Sequence, residues 1–206
     1  MALLLLSGCA SAGGSAEPED FPSQPLPTVV LTGSAVSVYP LTMMVAEPSL
    51  AWDDSLRPRE EKLLFVDSLI ELALTERSPD VDWILPAELR RLHKQAPNMI
   101  PNPDQMGTSL LRDLGMDRVP DPLWSRVRML TGATGDRYAL IPAVLLFHDN
   151  DDDPEEEGGL GRAELTMAMV DVRTGYIRWR TVARGYGDDP WIALKEALAT
   201  LSPDLP

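Results

Sequence analysis

The sequence predicts an α/β (α+β) fold, with a mixed four- to five-stranded sheet, helices packed on it, and a C-terminal β-hairpin followed by a helix. Three observations predict it. Segments with the apolar period of a helix alternate with short strand-like segments. The run from Tyr138 to Phe147 is almost continuously apolar, as in a strand covered on both faces. Asp171 to Gly175 has the composition of a tight turn, with a glycine to supply positive φ.

The first half of the chain supplies two strands and two helices. A strand is predicted within Val29 to Met44. A helix begins at Pro58, which is tolerated in a first turn because its missing N–H has no partner there, and ends at Ser78-Pro79. Val81 to Leu85 is a short strand candidate, and Ala87 to Gln95 is a basic helical stretch.

The middle of the chain is predicted to be a loop followed by two helices. Residues 96–104 hold three prolines and two asparagines, which indicates the loop. One helix is expected around Gln105 to Leu114. Asp121-Pro122 is an N-cap and first-turn pair for the next helix, and Gly132 is its expected C-cap.

The C-terminal third predicts a strand pair and a final helix. Ala163 to Val172 is a strand, and Tyr176 to Arg184 alternates strictly between apolar and polar residues, which predicts a half-exposed antiparallel strand. Asp189-Pro190 caps the last helix. The expected order is β-α-β-α-α-β-β-β-α.

The N-terminus predicts a lipid anchor. Leu6-Ser7-Gly8-Cys9 resembles a lipobox, and the resemblance implies that Cys9, the only cysteine, becomes the acylated mature N-terminus. Only eight uncharged residues precede Cys9, which a start codon assigned too late would explain; a chance match is the alternative. The expected organisation is a truncated signal peptide (1–8), lipidated Cys9 with a disordered tether (9–27), and a single α/β domain (28–206).

Charge narrows the classes of partner. The net charge of −14, from 32 acidic and 18 basic residues, argues against nucleic acid, whose phosphates would be repelled. No stretch after the leader approaches the roughly 20 apolar residues that span a bilayer, so the expected attachment is lipid. Ala10 follows the anchor cysteine, which by resemblance to enterobacterial sorting favours the outer membrane facing the periplasm.

Asp171, Thr174 and Gly175 of the predicted turn, with Trp179 in the strand that follows, give the C-terminal third a resemblance to a group of bacterial envelope lipoproteins. In that group, which includes the penicillin-binding-protein activators, the curli secretion lipoprotein and the N-terminal domain of the Tol translocation protein, a hairpin turn reads Asp-x-x-Thr-Gly and the next strand carries a Trp. Asp171, Thr174, Gly175 and Trp179 match that pattern. The resemblance implies a protein-binding role and supplies no active site to transfer.

Candidate chemistry is sparse. The acidic run from Asp149 to Glu157 invites an EF-hand interpretation, but Pro154 and Leu160 stand where the loop needs Gly and Glu, so a solvated hairpin loop is favoured. His93 and His148 lie far apart in sequence. We therefore predict no catalytic residue, no metal site and no cofactor.

One strand face is a candidate interaction surface. Tyr176, Arg178, Arg180 and Arg184 would form a basic stripe suited to a protein interface or a polyanionic wall polymer; charges that prevent edge pairing are the equal alternative. The predicted function is a non-enzymatic interaction or accessory module of the cell envelope with an envelope protein as partner. The alternatives are a subunit of a secretion or transport assembly and a metal-dependent hydrolase.

Overall fold

The computed structural model describes residues 23–150 and 159–201, which form a six-stranded mixed sheet and five α-helices. The strands are β1 (Ala35–Val38), β2 (Met44–Ala46), β3 (Asp82–Ile84), β4 (Tyr138–Asp149), β5 (Gly161–Asp171) and β6 (Ile177–Gly187). The helices are α1 (Thr28–Leu31), α2 (Arg59–Arg77), α3 (Pro86–Gln95), α4 (Leu123–Thr134) and α5 (Pro190–Thr200). The predicted α/β class is confirmed, with one strand more than predicted.

Strand β4 organises the sheet. The order is β3-β1-β4-β5-β6, and β2 pairs with β4 beyond the end of β1. β1 and β2 run parallel to β4, whereas β5 and β6 are antiparallel to their neighbours. β2 is the strand that the sequence did not reveal: it follows β1 in a part of the chain where a single strand was predicted.

Helices cover both faces of the sheet. Leu140 and Leu145 of β4 belong to a hydrophobic cluster with residues of α2 and α5. Ala139 and Ile141, on the opposite face, belong to a second cluster with residues of α3 and α4. The apolar run of β4 was therefore correctly interpreted as a strand buried on both sides.

The half-exposed character predicted for β6 is wrong. Residues 179–183 are all buried. Helix α5 lies so close to one face that a Cβ on Gly185 would come within 2.1 Å of the Ala197 nitrogen. The segment around Leu114 and Met116 lies over the other face, where both carbonyls accept hydrogen bonds from Arg180.

Two helix assignments in the middle of the chain also change. The stretch expected as a helix at 105–114 is not an α-helix; 3₁₀ turns occupy Pro103–Gln105 and Thr108–Arg112. Helix α4 starts at Leu123, and its C-cap is Gly135, which has φ +81°, instead of Gly132. Gly132 lies inside the helix, where the backbone needs no glycine.

Residues 23–27, predicted as part of the tether, lie against the domain. Gln24 N donates to Thr181 Oγ1 at 2.7 Å, and Leu26 N donates to the carbonyl of Leu201 at 2.8 Å. Trp179 Nε1 donates to the carbonyl of Pro25 at 3.0 Å. Residues 24–26 are therefore hydrogen-bonded to the last strand and to the end of the last helix, while Cys9 and residues 10–22 of the predicted tether lie outside the described residues.

Among the helices of the described ranges, none combines the length and the apolar character that crossing a membrane requires.

Candidate interaction surface

The four residues predicted as one basic stripe lie in three environments. Tyr176 is 46% exposed, and the Arg178 side chain is 49% exposed. Arg184 is mostly covered, and its Nε lies 3.0 Å from Glu164 Oε1 on the neighbouring strand. Only the two residues nearest the hairpin turn are therefore open to a partner.

Arg180 is a structural residue. It is 7% exposed, and its guanidinium donates to the carbonyl of Leu114 at 2.6 Å and to that of Met116 at 2.9 Å. Burial lowers the pKa of Arg180, although Asp113 and Asp117 act against that shift. These hydrogen bonds fix the loop before α4 to the sheet.

That loop then pairs with the hairpin at an isolated β-bridge. Val119 N donates to the carbonyl of Gly175, and Ile177 N donates to the carbonyl of Asp117, both at 2.9 Å. The pairing places Arg118 opposite Tyr176 in an antiparallel bridge. A basic side chain from a distant part of the sequence thereby joins the predicted stripe.

Trp124, in the first turn of α4, lies over the turn. Its Nε1 donates to the carbonyl of Val172 at 3.0 Å. A Cβ on Gly175 would lie 3.1 Å from the indole ring, and Gly175 has φ +76°. Glycine is therefore required at Gly175 for both its backbone conformation and the approach of the tryptophan.

Together these residues form an arginine–aromatic ladder, consisting of Arg128, Trp124, Arg118, Tyr176 and Arg178. The guanidinium carbons of Arg118 and Arg128 lie 4.9 and 5.1 Å from the Trp124 ring. Those of Arg118 and Arg178 lie 5.5 and 5.6 Å from the Tyr176 centroid. All four distances fall within the range of cation–π attraction.

Asp171 supports the ladder from the turn. Its side chain is fully buried and accepts hydrogen bonds from the N–H groups of Arg173 and Thr174 and from the Arg137 guanidinium. Arg178 lies 3.9 Å from the same carboxylate. Burial alone would raise the pKa of Asp171, but the Arg137 guanidinium and the turn N–H groups lower it on balance. The Asp and Gly of the predicted turn motif thus have defined physical roles.

His148 lies on the other end of the sheet, between two glutamates. Its Nδ1 is 3.0 Å from Glu47 Oε1, and its Nε2 is 3.7 Å from Glu164 Oε2. Hydrogen bonds from Asp149 N and His148 lower the pKa of Glu47. In the described ranges, no group of three His, Cys, Asp or Glu side chains is placed to hold a metal ion. Residues 151–157 of the acidic run lie outside the described residues.

His93 has a local role. Its Nδ1 lies 2.8 Å from the carbonyl of Ile100, which connects the end of α3 to the following loop.

Sequence reasoning missed Arg118, Trp124 and Arg128. One signal was available, because Trp124 and Arg128 are four residues apart and therefore neighbours on one helix face. Arg118 gave no such signal, since only the pairing of residue 118 with residue 176 brings it to the site.

Comparison with known proteins gives structural likeness only. No protein-family model and no curated protein matches the sequence. The structure is similar to the C-terminal domain of LpoB from Escherichia coli, with 16% identity, 75% of this chain and 83% of that chain covered, and a TM-score of 0.41. The same domain from Salmonella enterica is 16% identical, with 75% of this chain and 84% of that chain covered and a TM-score of 0.39. A lipoprotein from Neisseria meningitidis is 14% identical, with 75% of this chain and 82% of that chain covered and a TM-score of 0.31. At these identities and TM-scores the likenesses carry no conclusion about function.

Proposed function

We propose that this protein is a lipid-anchored bacterial envelope protein whose domain binds another envelope protein through the arginine–aromatic ladder, as an accessory module and not as an enzyme. The observation that carries the proposal is the ladder itself. It joins side chains from the loop before α4, from α4 and from the hairpin into one cluster at the edge of the sheet.

The chemistry of the ladder suits a protein interface. Tryptophan, tyrosine and arginine are the residue types most enriched among those that dominate binding energy. Trp124 is held by its hydrogen bond to Val172, and Arg118 is held between two rings. Side chains that are already positioned lose less conformational entropy when a partner binds, so more of the contact energy appears as affinity.

The anchor supports the same function. Cys9, in the lipobox-like sequence, would carry the acyl chains, and two chains are enough for stable membrane attachment. Confinement to a membrane raises the effective concentration of a modest binding surface near its target. Ala10 after the cysteine favours the periplasmic face of the outer membrane as the location.

The proposal is tested by in-cell crosslinking and mass spectrometry of the tagged full-length protein. We expect Cys9→Ser to leave the membrane fraction and to lose its envelope partners. We expect the double variant Arg118→Ala, Arg128→Ala to stay in the membrane fraction and to lose the same partners. Met129→Ala is the matched control, because Met129 is exposed on α4 next to Arg128 and belongs to no ladder contact.

Three outcomes would contradict the proposal. If Cys9→Ser fractionates like the wild type, the anchor is wrong. If both the double arginine variant and Trp124→Ala keep their partners, the ladder is not the interface. If partners form one large stoichiometric complex in the membrane, the alternative of a secretion or transport subunit is favoured over an accessory module.

A further inference from the structure

Two arginines of the ladder, Arg118 and Arg128, differ from the ion-paired arginines of this protein in the groups that their guanidinium groups contact. Arg90 forms ion pairs with Asp67 and Asp104, and Arg137 pairs with Asp171. The guanidinium groups of Arg118 and Arg128 contact rings, and within the described residues they donate no hydrogen bond and form no ion pair. A cation–π contact uses the charge of the guanidinium but supplies no acceptor for its N–H groups.

Two carboxylates close to the ladder in sequence accept hydrogen bonds from other groups. Asp121 Oδ1 accepts hydrogen bonds from the Ser125 amide and hydroxyl. Asp136 accepts a hydrogen bond from Ser37 N. In a chain with 32 acidic residues, two exposed arginines that are held by aromatic rings and left without carboxylate partners are set up for an acceptor from outside.

The spacing of the ladder fits an extended segment. Because the guanidinium carbons of Arg118 and Arg178 both lie within 5.6 Å of the Tyr176 centroid, they are at most about 11 Å apart, which about three residues of extended chain span. Beside Arg128 lies a shallow cavity of about 340 Å³, whose rim also carries the exposed Arg173. Acidic side chains of one segment can therefore reach several guanidinium groups at once.

We infer that the ladder takes a carboxylate-rich segment of a partner protein, with Asp or Glu side chains accepting paired hydrogen bonds from Arg118, Arg128 and Arg178. The inference rests on the proposed function and adds the chemistry of the partner. Arginine donors match a carboxylate in a planar, two-bond geometry that lysine does not offer. The aromatic members favour a protein occupant over a bare polyanion, because Trp124 and Tyr176 also offer contact to apolar atoms of a peptide. The net charge of −14 repels the same segment from the rest of the surface, which gives the site specificity.

The inference is tested with the purified full-length chain carrying Cys9→Ser. The probe is a fluorescently labelled hexaglutamate peptide, followed by anisotropy, with hexaglutamine as the neutral peptide and inorganic polyphosphate as a peptide-free polyanion. We expect Arg118→Ala, Arg128→Ala to weaken hexaglutamate binding by about tenfold or more. Arg118→Lys, Arg128→Lys should give an intermediate loss, because charge remains while the paired geometry does not.

The matched control is the double variant Arg57→Ala, Arg112→Ala. Both residues are exposed, lie outside the ladder, and remove the same charge. We expect a change of less than about twofold, since loss of charge at a distance is screened by salt. Equal weakening in both double variants would overturn the inference, as would no hexaglutamate binding at concentrations up to about 1 mM. If polyphosphate binds at the ladder and the peptide does not, the ligand of the ladder is a polyanion and not a protein segment.

Failure of this inference and failure of the proposed function give different results. If in-cell partners depend on Trp124 but survive Arg118→Ala, Arg128→Ala, the ladder binds a protein without acidic recognition. If hexaglutamate binds as expected but neither Cys9→Ser nor the arginine variant changes the in-cell partners, the acidic site stands and the envelope function is wrong.

Discussion

Replacing glycine with alanine should have opposite effects on stability at two positions, Gly185 in β6 and Gly132 in α4. At Gly185 a Cβ would meet the Ala197 nitrogen at 2.1 Å and the Ala193 carbonyl oxygen at 2.4 Å. Ordinary Cβ contacts begin at 3.4 Å, so α5 must move away by more than about 1 Å. At Gly132, inside α4, nothing lies within 4 Å of the added carbon.

The size of each effect follows from what has to move. The obstacle at Gly185 is helix backbone, and α5 is held by buried side chains such as Leu194 and Leu198. Overpacking a core typically costs about 1–3 kcal/mol, and a rigid obstacle places this case at the upper end. Reduced freedom of the unfolded chain returns about 0.4–1 kcal/mol. We expect a net loss in the free energy of unfolding of about 2 kcal/mol or more, which lowers Tm by roughly 4–8 °C or more.

Gly132→Ala should stabilise the protein. Alanine in an exposed helix interior is favoured over glycine by about 0.8–1 kcal/mol, so Tm should rise by roughly 2–4 °C. Thermal unfolding followed by circular dichroism, on the full-length chain carrying Cys9→Ser, measures both. A Gly185→Ala variant with unchanged Tm would refute the close approach of α5 to β6. Destabilisation by Gly132→Ala would mean that Gly132, and not Gly135, ends α4.

Three further changes test the fold. Asp189→Ala removes the acceptor for two amides at the start of α5 and should cost about 0.5–2 kcal/mol in urea unfolding, whereas Asp189→Asn should cost little. Leu145→Ala leaves a cavity in the core and should cost about 2–5 kcal/mol, while Leu160→Ala, at 59% exposure, should be nearly neutral by the same measurement. Because the pKa of Asp171 is lowered on folding, its stabilisation is complete above the ordinary value of about 3.9 and is lost as the pH falls through the folded pKa. The advantage of the wild type over Asp171→Asn should therefore persist down to about pH 4 and shrink as the pH falls further. An advantage that stays constant below that pH would contradict the assigned role.

The parts of the fold that the sequence predicted are those governed by local patterns. The apolar run of β4, the turn at Asp171 to Gly175 and the cap at Asp189 each depend on residues that are neighbours in the chain. Each of these elements can be predicted from the spacing of apolar residues, from the residue types of the turn or from the residue that caps the helix. Tertiary contacts modify them little.

The errors come from contacts between distant segments. Arg180 was predicted to be exposed because arginine usually is, but the carbonyls of residues 114 and 116 accept hydrogen bonds from its guanidinium in the interior. The ladder escaped prediction for the same reason, since Arg118 reaches Tyr176 only through tertiary pairing. A single sequence carries no record of which distant carbonyl or ring will meet a given side chain.

Residues 24–26 decide how the domain would respond to a mechanical load from its N-terminal side. They are hydrogen-bonded to Thr181 and Trp179 of β6 and to Leu201 just after α5. A pull on the preceding chain would be shared at once with the last strand and the last helix of the described sequence. Force would thus reach the domain through residues 24–26, which contact β6 and the end of α5, and it would not act on β1 alone.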